Sequence, residues 1–258
     1  MTPWITKPVP FNIGQGAAAA AEEVTYPQSM EGTADCTNNG STLDTTNEHL
    51  GTGCLDFDGT NDYINADGLL TFCTTTGSIS LWVNEDVSQE KVLLMIADAS
   101  AKTMIEIKVR TDQKIGVNVK VADATKWEAA STNAAPSAGN WYHLVITHDG
   151  TAPKLYIDGT EGTTFTDSTD KTVWWDLTGA DNVTIGCKAL FNSGSRTDFF
   201  NGKLDSMCFW NTAISSSVVT ELYNSGTGIT IPNISSTAGI RAFYNCDSAT
   251  VDNNAIPT

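Results

Sequence analysis

Hydrophobic residues recur at every second position through much of this chain, a pattern typical of β-strands whose two faces meet different surroundings. The clearest example is a pair of alternating runs, Trp141–Thr147 and Lys154–Ile157, separated by a His-Asp-Gly-Thr-Ala-Pro corner. This arrangement predicts a β-hairpin. Large side chains occupy both faces of the first run, so the hairpin is predicted to lie in the middle of a β-sandwich with both faces covered.

Further alternating runs extend the prediction to a series of consecutive antiparallel strands. These runs are Ser78–Asn84, Val92–Ile96, Ile105–Val109 and Ile115–Val121, and a separate strand is predicted at Asn182–Cys187. Another strand with two apolar faces is predicted at Phe200–Trp210. Strict alternation there places Asp205 and Met207 on one face and Leu204 and Cys208 on the other.

One short helix is predicted, at Ser215–Tyr223. Its first residue suits an N-cap, Val218, Val219 and Leu222 form an apolar stripe, and Gly226 is placed to end it. The sequence therefore predicts an all-β fold, an antiparallel sandwich of two sheets with this single helix.

Residues 1–23 show no hydrophobic period and are predicted to form an extended N-terminal arm, separate from a sandwich domain at residues 24–258. Prolines at positions 3, 8 and 10 favour polyproline geometry and cannot pair within a sheet. Four apolar side chains of the arm would be exposed on a free tail: Trp4, Ile5, Phe11 and Ile13. Two interpretations stay open, in which the arm docks on a neighbouring chain or folds back on its own domain.

The chain is strongly acidic, with 14 Lys and Arg against 30 Asp and Glu and a formal net charge of -16. Such a surface repels phosphate groups, so neither nucleic acid nor an anionic membrane is an expected partner. No run approaches the roughly 18 apolar residues of a membrane span, and prolines interrupt the region where a signal peptide needs an apolar stretch. Membrane insertion and signal-directed export are therefore not expected.

The six cysteines contain no Cys-x-x-Cys pair and have no histidine at zinc-ligand spacing, so a zinc site is not predicted. Their even number permits disulfides, whereas a chain without an export signal is normally made in a reducing cytosol. Free thiols and disulfides both stay open.

Several motifs occur in an order that resembles the laminin-G-like jelly-roll domains of the concanavalin A-like lectin and glucanase superfamily. They are F-D-G-T-N-D-Y-I, S-I-S-L-W-V, W-Y-H-L-V-I-T-H-D-G, L-Y-I-D-G, T-I-G, F-N-G-K-L-D and a short helix ending in E-L-Y. The resemblance covers roughly Val24 to Gly226. It implies a jelly roll of two stacked antiparallel sheets, which agrees with the alternation.

Catalysis is not expected. Glycosidases of the superfamily carry paired carboxylates on one strand, because retaining hydrolysis needs a nucleophile and an acid about 5 Å apart. The strand at Phe200–Trp210 supplies only Asp205, and no Gly-x-Ser-x-Gly, phosphate-loop or His-Glu-x-x-His motif occurs. Asp205 is predicted to fix backbone N–H groups and His143 to be a core histidine.

The resemblance also implies where a metal would bind, since calcium-dependent members hold the ion with loops at one rim of the sandwich. The corresponding loops here offer Asp98, Asn192 and Asp198, with the cation Arg196 opposing a metal. Ca²⁺ needs six to eight oxygens including several carboxylates. No cofactor is therefore expected, and Ca²⁺ at these three residues is the weaker alternative.

A sugar site would need exposed aromatic rings with amides nearby. Trp174 and Trp175 lie in a loop, with Asn182 close in sequence, and form the predicted platform. The competing interpretation is that one tryptophan packs inward and the other caps an edge.

Two functional hypotheses result. The first is a non-catalytic structural or adhesive module of an assembled particle, most naturally a phage virion protein of the head decoration or tail. It would be made in the host cytoplasm and would dock on other virion proteins through the arm, as a homo-oligomer. The alternative is a free or cell-surface carbohydrate-binding lectin or adhesin in the extracellular space, which rests on the resemblance and would bind glycans.

Deleting residues 1–16 is expected to leave the melting temperature nearly unchanged while preventing assembly with the partner. Each large apolar side chain of the arm gains roughly 1.5–3 kcal/mol on burial, so a docked arm stabilises the assembly and not the isolated domain. Thermal melting and sedimentation of the full and truncated chains check this. A truncated chain that melts far lower, or that assembles normally, would place the arm on its own domain.

Overall fold

The computed structural model of the chain describes residues 36–72, 74–86, 90–190 and 193–247. The first strands are β1 (Thr37–Asn39), β2 (Thr42–Asp44), β3 (Cys54–Asp58), β4 (Tyr63–Asn65), β5 (Gly77–Glu85), β6 (Lys91–Ala97), β7 (Met104–Val109), β8 (Ile115–Val121) and β9 (Ala124–Ser131). The later strands are β10 (Trp141–His148), β11 (Pro153–Ile157), β12 (Thr160–Glu161), β13 (Thr163–Ser168), β14 (Asn182–Ile185), β15 (Lys188–Leu190), β16 (Ser195–Thr197), β17 (Asn201–Trp210) and β18 (Ile240–Tyr244). The helix α1 spans Ser216–Tyr223, and 3₁₀ turns lie at Asp67–Phe72, Asn224–Gly226 and Ile231–Asn233.

The strands form two large antiparallel sheets. Sheet A has the order β1-β4-β14-β6-β7-β8-β9-β13, and sheet B has the order β12-β11-β10-β5-β17-β3-β2. Strand β18 also pairs with β17, and β15 and β16 form a separate hairpin. The predicted all-β sandwich is confirmed. The predicted run of consecutive antiparallel strands is confirmed for β6 to β8. It is wrong for β5, which pairs with β10 and β17 in sheet B.

The predicted hairpin lies inside sheet B, where β10 pairs with β11 on one side and with β5 on the other. Leu144 is opposite both Leu81 and Ile157, so this apolar row continues across three strands. Every residue of β10 except Trp141 is buried, as the two apolar faces predicted. One face packs on sheet A in the main core.

The opposite face of sheet B is covered by α1 and by the segment that precedes β3. Ser215 caps the helix by accepting the N–H of Val218, and Val218 and Leu222 pack against Trp210 in a second apolar cluster. The helix ends earlier than Gly226, because Asn224 already adopts the left-handed conformation at φ 45°. Within the described residues, no helix is long and apolar enough to cross a membrane.

The strict alternation predicted for β17 is wrong beyond Asp205. A β-bulge shifts the register against β5 between Asp205 and Cys208, and Ser206 has a φ of 47°. As a result Leu204 and Met207 both face the main core, whereas Cys208 faces the second cluster. The bulge lies where β3 stops pairing with β17 and β18 begins, so it accommodates a change of neighbour.

Four of the described cysteines are free thiols: Cys54, Cys187, Cys208 and Cys246. Cys73 lies outside the described residues, as does the whole predicted arm with Trp4, Ile5, Phe11 and Ile13.

Gly202→Ala is expected to destabilise the fold by more than about 2 kcal/mol, because a β-carbon there would overlap the backbone of β5. It would collide with the carbonyl oxygen of Asn84 and lie 2.9 Å from the Cα of Glu85, at a φ of 143°. Gly179→Ala is the control, since it also has a positive φ but no atom within 4 Å. Urea unfolding of both variants checks this, and equal losses of stability would contradict the steric explanation.

Candidate functional site

A row of side chains crosses the outer face of sheet A, because the register of seven strands places them opposite one another. From β4 to β13 this transverse row comprises Asn65, Thr184, Met95, Glu106, Asn118, Glu128 and Asp167. Their neighbours along each strand, such as Ile105, Val117 and Trp127, belong to the main core. Since successive residues of a strand point to opposite faces, the transverse row faces away from the core.

Glu106 carries the central charge of the transverse row. Its side chain is only 3% exposed, and the Nζ atoms of Lys188 and Lys108 lie 2.9 and 3.5 Å from its two carboxylate oxygens. Lys108 also lies 2.9 Å from Glu90. Burial alone would lower the pKa of Lys108, but the carboxylates of Glu90 and Glu106 outweigh it and raise that pKa. The Lys108 ammonium group therefore stays charged and is held between the carboxylates of Glu90 and Glu106.

Two amide oxygens of the transverse row are buried without a hydrogen-bond donor: Asn65 Oδ1 and Asn118 Oδ1. A buried polar atom left unpaired costs roughly 1–3 kcal/mol. The two residues are half-buried, although these oxygen atoms themselves are buried. Asn182, which was predicted to contact sugar, lies on the same face opposite Ala97, and its amide donates to Asp181.

The structure places the two predicted platform tryptophans away from this face. Trp174 is fully buried and stacks on Trp127 and His148, with ring centroids 6.2 and 5.2 Å away. Trp175 packs edge-on against Phe209 at 5.6 Å. Neither ring presents a face to solvent, so their geometry favours the packing interpretation over a sugar platform.

The structure does not bring Asp98 and Asp198 together. Asp198 accepts a backbone hydrogen bond from Val92 at the start of β6, whereas Asp98 follows the last residue of that strand. Six residues at 3.3 Å each separate the two ends by roughly 20 Å. Asn192 lies outside the described residues, within which no group of three His, Cys, Asp or Glu could hold a metal ion.

Asp98 instead stabilises its own turn. Its Oδ1 accepts the backbone N–H groups of Ser100 and Lys102, both at 3.0 Å. Burial alone would raise the pKa of Asp98, but these hydrogen bonds outweigh it and lower that pKa.

A second polar cluster lies on the covered face of sheet B, where Asp205, Trp82 and His143 are neighbours across β17, β5 and β10. The His49 ring stacks on Trp82 at 3.7 Å, and the Trp82 ring lies 4.9 Å from His143. Asp205 Oδ2 accepts the backbone N–H groups of His49 and Leu50 at 3.0 and 2.8 Å. The carboxylate thus anchors the segment that covers this face.

Burial governs the protonation of this cluster. It raises the pKa of Asp205 to about 7 and lowers the pKa of His49 to about 4. Burial, with nearby His49, lowers the pKa of His143 to about 3. Ser80 Oγ lies 2.8 Å from His143 Nε2, the arrangement of a nucleophile and base, but these residues are only 2% and 1% exposed. Because no substrate can reach them, the pair is structural.

The residues 58–220 match the model of a laminin-G-like family described as the concanavalin A-like lectin/glucanases superfamily, and the chain belongs to this family. The predicted resemblance is thereby confirmed. No curated protein sequence matches the chain.

Solved structures of similar fold are known at low sequence identity. The CBM40 domain of the Ruminococcus gnavus IT-sialidase aligns with a TM-score of 0.56 at 16% identity, over 67% of this chain and 97% of that chain. The same domain bound to α2,3-sialyllactose aligns at 0.53 and 14%, over 73% and 98%. Domain 4 of a GH43 extracellular arabinanase from Geobacillus stearothermophilus, in complex with arabinotriose, aligns at 0.53 and 20%, over 72% and 85%. These similarities establish a shared fold.

The stability of the wild-type chain relative to Asp205→Asn is expected to fall by about 1–3 kcal/mol between pH 5 and pH 8. Burial raises the pKa of Asp205 from 3.8 to about 7, so its protonated form is favoured in the folded state. That contribution is complete below pH 3.8 and is lost as the pH rises through 7. The buried histidines have lowered pKa values, so their contribution is lost as the pH falls below 6.5.

Urea unfolding at several pH values measures this difference. Asp123→Asn is the control, because Asp123 is exposed. Parallel pH profiles for the wild-type chain and Asp205→Asn would show that Asp205 is not a buried titrating group.

Proposed function

We propose that this chain is a non-catalytic carbohydrate-binding domain, and that the glycan lies across the transverse row on the outer face of sheet A. The observation that carries the proposal is the pair of buried, unpartnered amide oxygens at Asn65 and Asn118 on one surface. Sugar hydroxyls donate the hydrogen bonds that these oxygens lack. Rotation about the terminal bond of each amide is soft, so small adjustments suffice to meet a ligand.

The chemistry of the face suits neutral or weakly charged sugars. Amide and carboxylate oxygens of Asn118, Glu128 and Asp167 accept hydrogen bonds, and the ammonium groups of Lys108 and Lys188 donate them. The fixed ion pairs of Glu106 hold these donors in place. Both kinds of partner are needed because each sugar hydroxyl donates and accepts.

The affinity is expected to be weak. The outward-facing Tyr63 ring is covered by the guanidinium of Arg196 at 4.1 Å, so it offers no free stacking surface on that side. Binding would depend on hydrogen bonds exchanged with water, each contributing roughly 0.5–1.5 kcal/mol. A few such bonds give a dissociation constant near the millimolar range, where the binding free energy is about -4 kcal/mol.

The comparisons support the class of ligand. The similar solved structures include carbohydrate-binding modules, one with sialyllactose bound and one with arabinotriose bound. The acids also fit a binding role, because Glu106 is held between two lysines and Asp205 is fully buried. Neither is placed as one member of an accessible carboxylate pair of the kind that glycoside hydrolysis uses.

A glycan-binding role favours an extracellular or cell-surface location. The free thiols do not oppose it, because burial raises the pKa of Cys208 and Cys246 well above the ordinary value. Thiols that stay protonated and buried react slowly with oxidants.

The role in an assembled particle, such as a phage virion, remains a second candidate. It is supported by the apolar side chains of the predicted arm, of which Trp4 and Phe11 are the largest. Deletion of that arm, described above, tests it independently of glycan binding.

Asn118→Ala is expected to weaken glycan binding at least tenfold while leaving stability unchanged or slightly higher. The reason is that the substitution removes an acceptor that has no partner in the folded protein, so no internal hydrogen bond is lost. A tenfold loss corresponds to about 1.4 kcal/mol. The wild-type chain is first screened on a glycan array that includes arabinotriose and α2,3-sialyllactose, and the best ligand is then titrated by calorimetry.

Asn182→Ala tests the edge of the same face, and Asn140→Ala is the matched control, because Asn140 is exposed in the loop before β10. No binding to any glycan on the array, or equal binding by Asn118→Ala and Asn140→Ala, would contradict the proposed face.

A further inference from the structure

The chain contains two Asn-Gly dipeptides, Asn39-Gly40 and Asn201-Gly202. In such a pair the backbone nitrogen of the glycine can attack the side-chain amide carbon of the asparagine, because no β-carbon on the following residue blocks the approach. The attack requires the peptide between the two residues to turn, so the surrounding fold decides whether the reaction occurs. The structure places the two dipeptides in opposite settings.

Asn39-Gly40 forms the tip of a surface turn. The turn joins β1, an edge strand of sheet A, to β2, an edge strand of sheet B. Ser41 closes the base of the turn, since its Oγ donates to Asn38 Oδ1 at 2.7 Å and its carbonyl accepts from Asn38 Nδ2 at 2.8 Å. Gly40 lies between the two strands and is exposed, at a φ of 105° that suits glycine. The turn therefore leads out of a strand of only three residues at the edge of a sheet.

The side-chain amide of Asn39 is held near the surface. Its Nδ2 donates to the carbonyl of Thr37 at 3.0 Å, and Thr37 is exposed. Water can replace this hydrogen bond at little cost, because an exposed donor exchanges one partner for another. The attacked amide and the attacking nitrogen thus lie in a segment that can rearrange without opening the core.

Asn201-Gly202 lies inside a central strand instead. Gly202 is buried and pairs with Phe57 on one side and with Glu85 on the other. The carbonyl of Asn201 accepts the N–H of Asp86 at 3.0 Å. Turning the peptide between Asn201 and Gly202 would break this pairing, so a reaction there requires β17 to separate from its neighbours.

We propose that Asn39 is a site of spontaneous deamidation and isomerisation, and that the fold confines this modification to the turn. The Gly40 nitrogen forms a bond to Asn39 Cγ, the Cγ–Nδ2 bond breaks, and Nδ2 leaves as ammonia with the proton that the Gly40 nitrogen gives up. Water then opens the resulting cyclic succinimide. Addition at Cγ yields aspartate, whereas addition at the backbone carbonyl carbon yields isoaspartate, in which the chain continues through Cβ and Cγ. Water is the co-reactant, and nothing is oxidised or reduced.

The modification changes both the charge of the turn and the length of its backbone. Asp62 Oδ1 lies next to Gly40, at a place where a β-carbon on Gly40 would overlap it. A new carboxylate in the turn therefore adds a like charge near Asp62. Isoaspartate also lengthens the backbone immediately after the pair of Asn39 with Tyr63, where β1 joins sheet A. We expect both products to weaken the pairing of β1 with β4.

Peptide mapping by mass spectrometry tests the proposal on the full-length chain, incubated in the folded state in mildly alkaline buffer. Asn201 is the internal control, because glycine follows it as well. We expect Asn39 to gain the mass difference between a hydroxyl and an amino group at least about tenfold faster than Asn201, which corresponds to about 1.4 kcal/mol in activation free energy. We also expect separate aspartate and isoaspartate products, since water opens the succinimide at either carbonyl.

Incubation in urea removes the fold, and both dipeptides are then expected to react at similar rates. Asn39→Gln is expected to remove most of the modification from this peptide, because the longer side chain needs a larger ring. An unmodified Asn39 in the folded chain, under conditions in which the unfolded chain reacts, would overturn the proposal. Equal rates at Asn39 and Asn201 in the folded chain, or aspartate without isoaspartate, would overturn it as well.

Discussion

Burial of both faces of sheet B is the constraint on which the rest of the structure depends. Every residue of β5 is buried, although only one of its faces meets sheet A. Polar side chains on the other face must therefore find partners inside the protein. Ser80 bonds to His143, Ser78 bonds to the backbone at Thr212, and Asp205 bonds to the segment that covers it. The stability of β5 therefore depends on the segments that cover it and on the hydrogen bonds of its polar face.

The sequence was sufficient to predict the helix and most of the long buried strands, because apolar residues repeat with the period of each element. It did not predict β9 and β13. It could not predict the bulge in β17. The shift after Asp205 depends on where β3 ends and β18 begins, and these strands are far apart in the chain. No local pattern at Ser206 marks it, since the run is apolar enough on both sides to fit either phase.

The candidate site was much harder to predict than the fold. Alternation tells which face a residue shares within its own strand, but the transverse row depends on the register between seven strands. Asn118 and Asn65 are therefore unremarkable in the sequence. The sequence instead suggested two adjacent tryptophans and two loop aspartates as site residues. The structure shows that such residues can equally serve packing and turn formation. Trp174 fills the core, and Asp98 stabilises its own turn.

The two outer faces of the sandwich carry similar polar chemistry and differ in what covers them. On sheet B, unpartnered atoms such as His143 Nδ1 and Asp205 Oδ1 are sealed beneath α1 and the segment before β3, so they can affect only stability and its dependence on pH. On sheet A, the hairpin of β15 and β16 reaches the centre of the transverse row through Lys188, which pairs with Glu106, and Asn118 on the neighbouring strand is half-buried. Under the proposed function, the unpaired acceptor of Asn118 would contribute to recognition, because binding would supply the hydrogen bond that folding left unmade.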